Sequence, residues 1–373
     1  MEQKTIIKRW FGTHRYVYNQ FLNYTKSNND TKEWMNFYGM RNKFVLYNNG
    51  ANDFFKGREW MVDTPKDIRA DAIKACISAH KSAFTNLRNK NITNFNVCYK
   101  SKKKPSYSIS IPHSAIKYED GSFYIYKRYN KTHIKVHNRT LKKLGDISVN
   151  HDSKLIYDGL HYYLLVATDQ TTKRYIGDEK RVIALDPGVR TFQTGYSDSE
   201  VIEFSSRIDK ISKLHNKVDL LKSLRDKKQK NIKRKTILKI NSKIRNVVND
   251  VHWKTITYLR NNYTDVLLPS FDSQEMVANT PLHRTTKRRM LGLQHFTFKT
   301  RLQEKTDVRV HIVNESFTSK TCGRCGDINF GLCSSKTFKC CSCNLTIDRD
   351  FNGARNIYLK HMGGRPNTLN EGK

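Results

Sequence analysis

Six of the eight cysteines fall between residues 322 and 343, and four of them have the spacing of a metal site. Cys322 and Cys325 form one C-x-x-C pair, and after fourteen intervening residues Cys340 and Cys343 form a second. Each pair presents two thiolates from one turn. Four thiolates complete the tetrahedral coordination of Zn²⁺ and leave no position for water. The spacing therefore predicts a structural zinc ribbon over residues 321–347.

The other cysteines do not fit this pattern. Cys76 and Cys98 stand alone, whereas Cys333 and Cys341 are spare thiols inside the ribbon segment. Cys341 can compete with Cys340 as a ligand, but only Cys340 keeps the two-residue gap to Cys343. In a chain without secretion signals, such crowding is typical of metal binding rather than of disulfides.

Acidic residues at two places suggest a second chemistry, metal-dependent hydrolysis of phosphodiester bonds. That reaction needs carboxylates from distant parts of a chain, because oxygen ligands suit Mg²⁺ and two ions can activate water and stabilise the leaving oxygen. Asp186 ends an apolar run and precedes a Pro-Gly turn, as at the end of a strand. Asp350 lies at the start of a helix for which Asp348 is the expected N-cap. The small residue Gly353 would let this helix pack close to the strands.

The composition limits the classes of protein to which the chain can belong. Its 373 residues carry 68 Lys+Arg against 34 Asp+Glu, a net charge of +34. The length suggests two or three domains, and 37% hydrophobic residues are too many for a disordered chain. We expect an intracellular, non-secreted protein without membrane spans, because neither a signal sequence nor a long apolar segment is present. Nucleic acid is the expected polyanionic partner.

Hydrophobic periodicity predicts the elements that must position these residues. The first ~100 residues have helical periodicity, with Thr64 as an N-cap and Pro65 at the first helical position. Short alternating runs from about residue 94 to 168 predict a small antiparallel barrel or sandwich. Three strands follow over residues 181–205, and two more are expected near residues 265–271 and 308–315.

A long basic helical stretch separates the two groups of strands. It runs from about residue 207 to 262, and its break around residues 227–235 predicts the tip of a helical hairpin. Fifteen Lys/Arg and three Asp/Glu lie between Arg207 and Arg245. So many positive side chains would repel one another unless an anionic partner bound to them. The imbalance therefore favours contact with nucleic acid over a surface exposed only to solvent.

The combination of motifs resembles one family. LDPGVRTFQTGYS, then a basic helical insertion, then a four-cysteine ribbon running into DRDFNGARNI, resembles the RuvC-like nuclease half of TnpB and Fanzor proteins. WFGTHRYVYNQFL, TPKDIRADAIKACISAHKSAF and YKSKKKPSYSISIP resemble their N-terminal motif, recognition helices and the strand region that follows. The resemblance covers nearly the whole chain.

The resemblance implies an α/β multidomain fold. It comprises an RNase H-like (RuvC) nuclease domain with an inserted zinc ribbon, a β-barrel (wedge) domain and a helical recognition domain. The implied boundaries are 1–93 for the N-terminal segment and recognition region, 94–175 for the wedge, 176–320 for the nuclease with its helical insertion, 321–347 for the ribbon as a target nucleic-acid-binding element, 348–361 for the final RuvC segment and 362–373 for a tail.

The activity implied by the resemblance is RNA-guided cleavage of DNA. The partners would be a guide (omega) RNA from a transposon end and a double-stranded DNA target, and the catalytic ion would be Mg²⁺, with Mn²⁺ as an alternative. By similarity, Asp186 matches the first RuvC acid and Asp350 the third. Zn²⁺ would be structural.

The second acid departs from the bacterial pattern. TnpB proteins usually carry Glu where this sequence has Pro269-Ser270-Phe271, and Fanzor proteins have a similar P-x-F element with Glu on a later strand. Glu315, at the end of such a strand, is the preferred replacement. Asp272 and Glu275 are rivals, and loss of catalysis is a further reading.

Two other functions remain open from the sequence. A chain that lost catalysis but kept its ribbon and basic surfaces would be a nucleic-acid-binding transposon regulator, and a transposase is a third reading that the family resemblance disfavours. The Fanzor-like substitution predicts action in the nucleus of a eukaryotic host or in a viral replication compartment.

Overall fold

The chain divides into two compact units, Met1–Gln170 and Thr171–Lys373. The computed structural model describes residues 2–28, 30–103, 106–127, 133–135, 148–167, 181–224, 230–331 and 335–363. In these ranges no helix combines the length and the apolar character that a membrane span requires.

The first unit begins with the expected helices: α1 (Glu2–Ser27), α2 (Thr31–Met35), α3 (Phe37–Phe44) and α4 (Lys66–Arg88). α1 and α4 pack through an apolar cluster that includes Val17, Phe21, Ala72 and Cys76, all fully buried. The helical spacing of these side chains is what buries them on one face of each helix.

The predicted N-cap at Thr64 is wrong. α4 begins at Lys66 with Pro65 in the cap position, and no side chain caps it. The Thr64 hydroxyl instead donates to Thr13 Oγ1 at 2.8 Å, and both threonines are buried. The Thr64 hydroxyl, which the local sequence predicts to cap α4, therefore forms a tertiary hydrogen bond instead.

Two three-stranded antiparallel sheets complete the first unit. Their orders are β1–β5–β6 and β2–β3–β4. The strands are β1 (Tyr107–Ile111), β2 (Ile116–Glu119), β3 (Ser122–Ile125), β4 (His133–Lys135), β5 (Ser153–Tyr157) and β6 (Tyr162–Leu165). Trp10 and Phe11 of α1 are buried in the apolar cluster that these strands form, so both rings are part of the core.

A five-stranded mixed sheet forms the centre of the second unit, in the order β11–β10–β7–β8–β9. β7, β8 and β9 are an antiparallel meander, and β10 pairs in parallel with both β7 and β11. The strands are β7 (Val182–Pro187), β8 (Thr191–Tyr196), β9 (Val201–Ser205), β10 (Asp265–Pro269) and β11 (Arg309–Val313).

Helices cover both faces of this sheet. They are α5 (Ile208–Ser223), α6 (Lys230–Asn262), α7 (Ser273–Asn279), α8 (Arg284–Gly292), α9 (His295–Lys305) and α10 (Arg349–Met362). Ile183 and Leu185 of β7 join the core formed with α5, α6 and α9, whereas Val182 and Ala184 join the core formed with α10. The alternation explains why β7 reads as a continuous apolar run, as strands buried on both faces do.

α5 and α6 form the predicted basic hairpin. Ile211, Leu214 and Val218 of α5 share one core with Ile244 and Val248 of α6. α6 begins at Lys230, inside the predicted break, and residues 225–229 of that break lie outside the described residues. The ribbon follows β11 and contains a small antiparallel pair, β12 (Thr337–Lys339) and β13 (Thr346–Asp348).

Candidate metal centres

The four predicted cysteine ligands converge in the ribbon. Cys322 Sγ lies 3.6 Å from Cys343 Sγ, and Cys325 Sγ lies 3.5 Å from Cys340 Sγ. All four sulfur atoms are within 4.8 Å of one another. Tetrahedral Zn–S bonds of ~2.3 Å place sulfurs about 3.8 Å apart, so this cage fits Zn²⁺.

The ribbon has little else to hold it together. Its apolar cluster centres on Phe338, fully buried against Cys322 and Cys340. Cys341 is exposed and outside the sulfur cluster, which agrees with the choice of Cys340 as the ligand, and Cys333 lies outside the described residues. A core this small is typical of segments that a bound metal ion helps to fold.

The strand ends of the five-stranded sheet bring two of the predicted acids to one edge. β7, β10 and β11 run parallel, so their carboxyl ends meet there. Asp186 is the penultimate residue of β7, and Glu315 follows the end of β11 by two residues. The position between them in the sheet belongs to β10 and is occupied by Pro269, which pairs with Val313.

The candidate for the third acid, Asp350, lies on α10. Asp348 caps this helix, because its carboxylate accepts hydrogen bonds from the backbone N–H of Asp350 at 2.9 Å and of Phe351 at 3.4 Å. Lys336 Nζ lies 3.4 Å from the same carboxylate. The expected N-cap role of Asp348 is confirmed, and Asp350 follows in the first turn of the helix.

α10 approaches Asp186 through a residue without a side chain. A β-carbon at Gly353 would lie 2.6 Å from Asp186 Oδ2. Ala354, fully buried, continues the close packing of α10 on the sheet. The expectation that these small residues allow close approach is confirmed, and it brings the first turn of α10 to the end of β7.

Burial and neighbouring charges disfavour ionisation of the three carboxylates. Burial, followed by the charges of Asp350 and Glu315, raises the pKa of Asp186 to about 8, against the opposing charge of Arg349. Burial also raises the pKa of Glu315. Burial and then Asp348 raise the pKa of Asp350. Buried carboxylates whose ionised forms are disfavoured are a donor set that a divalent cation stabilises, so the chemistry of these oxygen ligands fits Mg²⁺.

The spacing of these acids differs from that of the cysteines. Among the described residues, only the four cysteines form a group of three or more His, Cys, Asp and Glu whose ligand atoms all lie within 4.8 Å of one another. The carboxylate oxygens of the three acids therefore do not all lie within that distance of one another.

The rival acids are engaged elsewhere. Asp272 caps α7, since its Oδ1 accepts hydrogen bonds from the backbone N–H of Gln274 and Glu275 at 2.9 and 3.0 Å. Asp272 and Glu275 are exposed, and neither is among the charges that raise the pKa of Asp186. Of the candidates for the second acid, the geometry favours Glu315.

Comparison with known proteins places this architecture in a family. Residues 295–357 match the family described as "Cas12f1-like, TNB domain", and residues 1–30 match a helix-turn-helix domain of the OrfB/IS605 group. The putative transposase A625R of Paramecium bursaria Chlorella virus 1 is 32% identical over 383 residues, which cover 97% of this chain and 84% of that protein. The chain belongs to the TnpB/IS605 family.

Other relatives agree with this membership. The TnpB-like protein L770 of Acanthamoeba polyphaga mimivirus is 27% identical over 95% of this chain and 70% of its own length. A Cas12f1 chain, solved in a complex with sgRNA and target DNA, superposes with a TM-score of 0.50 at 15% identity, over 96% of this chain and 83% of that chain. The TnpB-family chain therefore has a Cas12-like compact fold of mixed α/β content.

Two asparagines of this TnpB-family chain, not singled out from the sequence, join the ribbon to α10. Asn352 is fully buried; its side chain donates to the carbonyl of Thr321 at 2.7 Å and accepts from the backbone N–H of Gly323 at 3.0 Å. Asn356 donates to the carbonyls of Thr318 at 2.8 Å and Thr321 at 2.7 Å.

These contacts extend to Glu315, the candidate for the second acid. The Thr318 backbone N–H and hydroxyl both donate to the carbonyl of Glu315, at 3.1 and 2.8 Å. Asn356 thus holds the turn that follows Glu315, while Asn352 holds the first zinc knuckle. The i, i+4 spacing of two asparagines on the helix after the ribbon was the available sequence signal.

Proposed function

We propose that this protein is an RNA-guided DNA endonuclease that hydrolyses phosphodiester bonds of target DNA at a single RuvC-type site. The observation that carries the proposal is the convergence of Asp186, Glu315 and Asp350, from β7, the turn after β11 and α10, at one edge of the sheet. The strand order, a meander followed by two strands parallel to its first member, supports an RNase H-like core.

In this proposal the three carboxylates hold Mg²⁺, or Mn²⁺ as an alternative. When bound, the ions activate water for attack on the phosphate and stabilise the leaving oxygen. Asp186 and Asp350 supply the first and third ligand positions, and Gly353 keeps them close. The charges of Arg349, Lys336 and Arg190 lower the pKa of Asp350, and in this proposal these cations favour the approach of a phosphate.

Glu315 serves as the relocated second acid, as in Fanzor proteins. Pro269 occupies the end of the strand between Asp186 and the Glu315 turn, and its side chain has no atom that binds a metal. Extending the β7–β10 register by two residues sets Pro269 level with Asp186. A carboxylate from the next strand in the sheet is then the nearest replacement.

A transposon-associated noncoding RNA is the proposed guide, and double-stranded DNA the target. The net charge of +34 and the basic α5–α6 hairpin support a protein that holds nucleic-acid backbones while base pairing reads sequence. The fold shared with Cas12f1, whose solved complex contains sgRNA and target DNA, supports the same assignment. We assign the ribbon, residues 321–347, to target binding and keep the remaining domain boundaries as inferred from the sequence.

The zinc ion in this proposal is structural. Its four thiolates leave no open position for substrate or water, so it orders the ribbon and, through Asn352, fixes it to α10. The viral relatives support action in a eukaryotic nucleus or a viral replication compartment.

Purification of the full chain with its bound nucleic acid tests the proposal. Sequencing of that nucleic acid should return one RNA species, and this RNA with Mg²⁺ should direct cleavage of a plasmid that carries the matching target. A catalytically inactive transposon regulator would bring the same RNA but leave the plasmid intact in both Mg²⁺ and Mn²⁺. Absence of any bound RNA would contradict guided cleavage.

A further inference from the structure

A depression opens at the sheet edge that carries Asp186, on the side covered by α9. The segment Pro269–Phe271 forms one wall and the start of α9 the other, and Pro187, which follows Asp186, borders it. The depression is shallow and open to solvent. The proline-containing element that replaces an acid in this chain is therefore part of a concave surface beside the candidate metal centre.

One wall presents an aromatic ring to solvent. Phe296 is 71% exposed, although His295 and Phe298 on the same helix are buried. Lys299 Nζ lies 5.4 Å from the centre of the Phe296 ring. An exposed aromatic ring beside a cation is the arrangement that stacks an unpaired nucleobase and holds its phosphate.

The floor and rim have the matching polarity. Gln193 is 1% exposed, and its carboxamide oxygen has no hydrogen-bond partner within the described part of the chain. Ser270 adds an exposed polar residue at the rim. None of the residues that line the depression is acidic, and Lys299 is the one with a full positive charge. The site therefore suits an anionic ligand with a flat apolar face and polar edges.

We propose that this depression binds one unpaired nucleobase of the DNA strand that enters the RuvC-type site. The base stacks on Phe296, its backbone phosphate contacts Lys299, and Pro269–Phe271 closes the opposite side. The proposal rests on the proposed nuclease function and adds a subsite to it. In this proposal Pro269–Phe271, the segment that stands where TnpB proteins usually carry Glu, forms one wall of the base-binding site.

Fluorescence of 2-aminopurine, which falls when the base stacks, tests the subsite without cleavage. The full-length protein, in Ca²⁺, is mixed with single-stranded oligonucleotides that carry 2-aminopurine at successive positions. We expect severalfold quenching in the parent, loss of that quenching and roughly tenfold weaker binding in Phe296→Ala, and retention of both in Phe296→Trp. Val201→Ala is the control, because Val201 is 46% exposed on β9 and does not line the depression.

The outcomes separate this inference from the function on which it rests. Equal quenching in Phe296→Ala and the parent, or equal loss in Val201→Ala, would overturn the subsite. A parent that cleaves guided plasmid DNA but quenches no probe would overturn the subsite and leave the nuclease standing. Quenching that depends on Phe296 in a protein that fails to cleave would support the subsite and contradict the nuclease.

Discussion

Gly353 and Asp186 are so close that a β-carbon on the glycine would lie 2.6 Å from Asp186 Oδ2. The contact joins the helix that carries Asp350 to the strand that carries Asp186. It is the tightest geometric constraint on the candidate magnesium centre, and any side chain at position 353 must displace the carboxylate.

Gly353→Ala should therefore impair cleavage more than folding. The terminal carboxylate of Asp186 can swing away at small energetic cost, so we expect the unfolding temperature to change by only a few degrees. A misplacement of about 1 Å at a reacting centre costs on the order of 100-fold in rate, and we expect a fall of that size. Gly292→Ala is the control, because its β-carbon would meet only His215 Cε1, at 3.9 Å. Parent-like cleavage by Gly353→Ala would contradict the proposed arrangement.

Adjacent cysteines provide a matched test of the zinc site. Cys340→Ser removes a ligand from the sulfur cluster, whereas Cys341→Ser changes an exposed thiol outside it. We expect one zinc per chain, measured by atomic emission, in the parent and in Cys341→Ser, and a clear loss in Cys340→Ser. The ribbon of Cys340→Ser should also become sensitive to protease, because zinc supplies its folding free energy. Loss of zinc from Cys341→Ser alone would reverse the ligand assignment.

Asn356→Ala should weaken metal binding at the carboxylates while zinc stays bound. The substitution leaves the carbonyl of Thr318 without its side-chain donor, whereas the carbonyl of Thr321 keeps Asn352, and we expect a cost of about 1–3 kcal/mol in unfolding free energy. Since Thr318 holds the Glu315 carbonyl, we expect the Mg²⁺ concentration for half-maximal cleavage to rise severalfold.

Asn262→Ala controls for that destabilisation. Asn262 donates to the carbonyl of Tyr258 at 2.8 Å, and both residues belong to α6. Its removal should lower stability and leave the Mg²⁺ requirement unchanged. An unchanged Mg²⁺ requirement in Asn356→Ala as well would show that Asn356 stabilises the fold without positioning Glu315.

Two buried histidines should make the second unit sensitive to acid. His252 and His295 each stack on Phe192 with ring centres 5.1 Å apart, and burial lowers the pKa of both to about 4. The unfolded state binds these protons near pH 6.5, before the folded state does. Stability from these residues is therefore complete above pH 6.5 and falls as pH drops toward 4, by up to about 3 kcal/mol per histidine.

The pKa values of the buried acids at the candidate metal centre are raised, so their contribution to stability grows as pH falls. The histidine effect is therefore measured by comparing the parent with a histidine variant. We expect the unfolding free energy from urea titrations to fall less between pH 7 and pH 5 in His252→Gln than in the parent. Equal losses in the two proteins would show that His252 is not a source of acid sensitivity.

The sequence was sufficient for features that depend on local pattern or on fixed spacing. The cysteine pairs, the Asp348 cap and the strands around Asp186 follow from turn geometry, capping and hydrophobic periodicity. The order of the strands did not follow from periodicity, because parallel pairing of β10 with β7 and β11 joins segments about 40 to 80 residues apart.

The missed features are tertiary. Thr64 resembles an N-cap locally, but its hydroxyl bonds to Thr13, far away in the sequence. In the sequence, Asn352 and Asn356 resemble ordinary polar residues of a helix, but in the structure their side chains bind the backbone carbonyls of Thr321 and Thr318. Their partners are backbone carbonyls and an N–H, which leave no signature in residue type.

The identity of the second acid is the point on which the proposed chemistry depends, and one substitution tests it directly. In guided plasmid cleavage with the copurified RNA and Mg²⁺, Glu315→Gln should reduce the rate by at least 100-fold, like Asp186→Ala, while binding the target normally. Glu275→Gln, which changes an exposed acid beyond β10, should cut at the parent rate. Parent-like cleavage by Glu315→Gln together with loss of cleavage in Glu275→Gln would contradict the account.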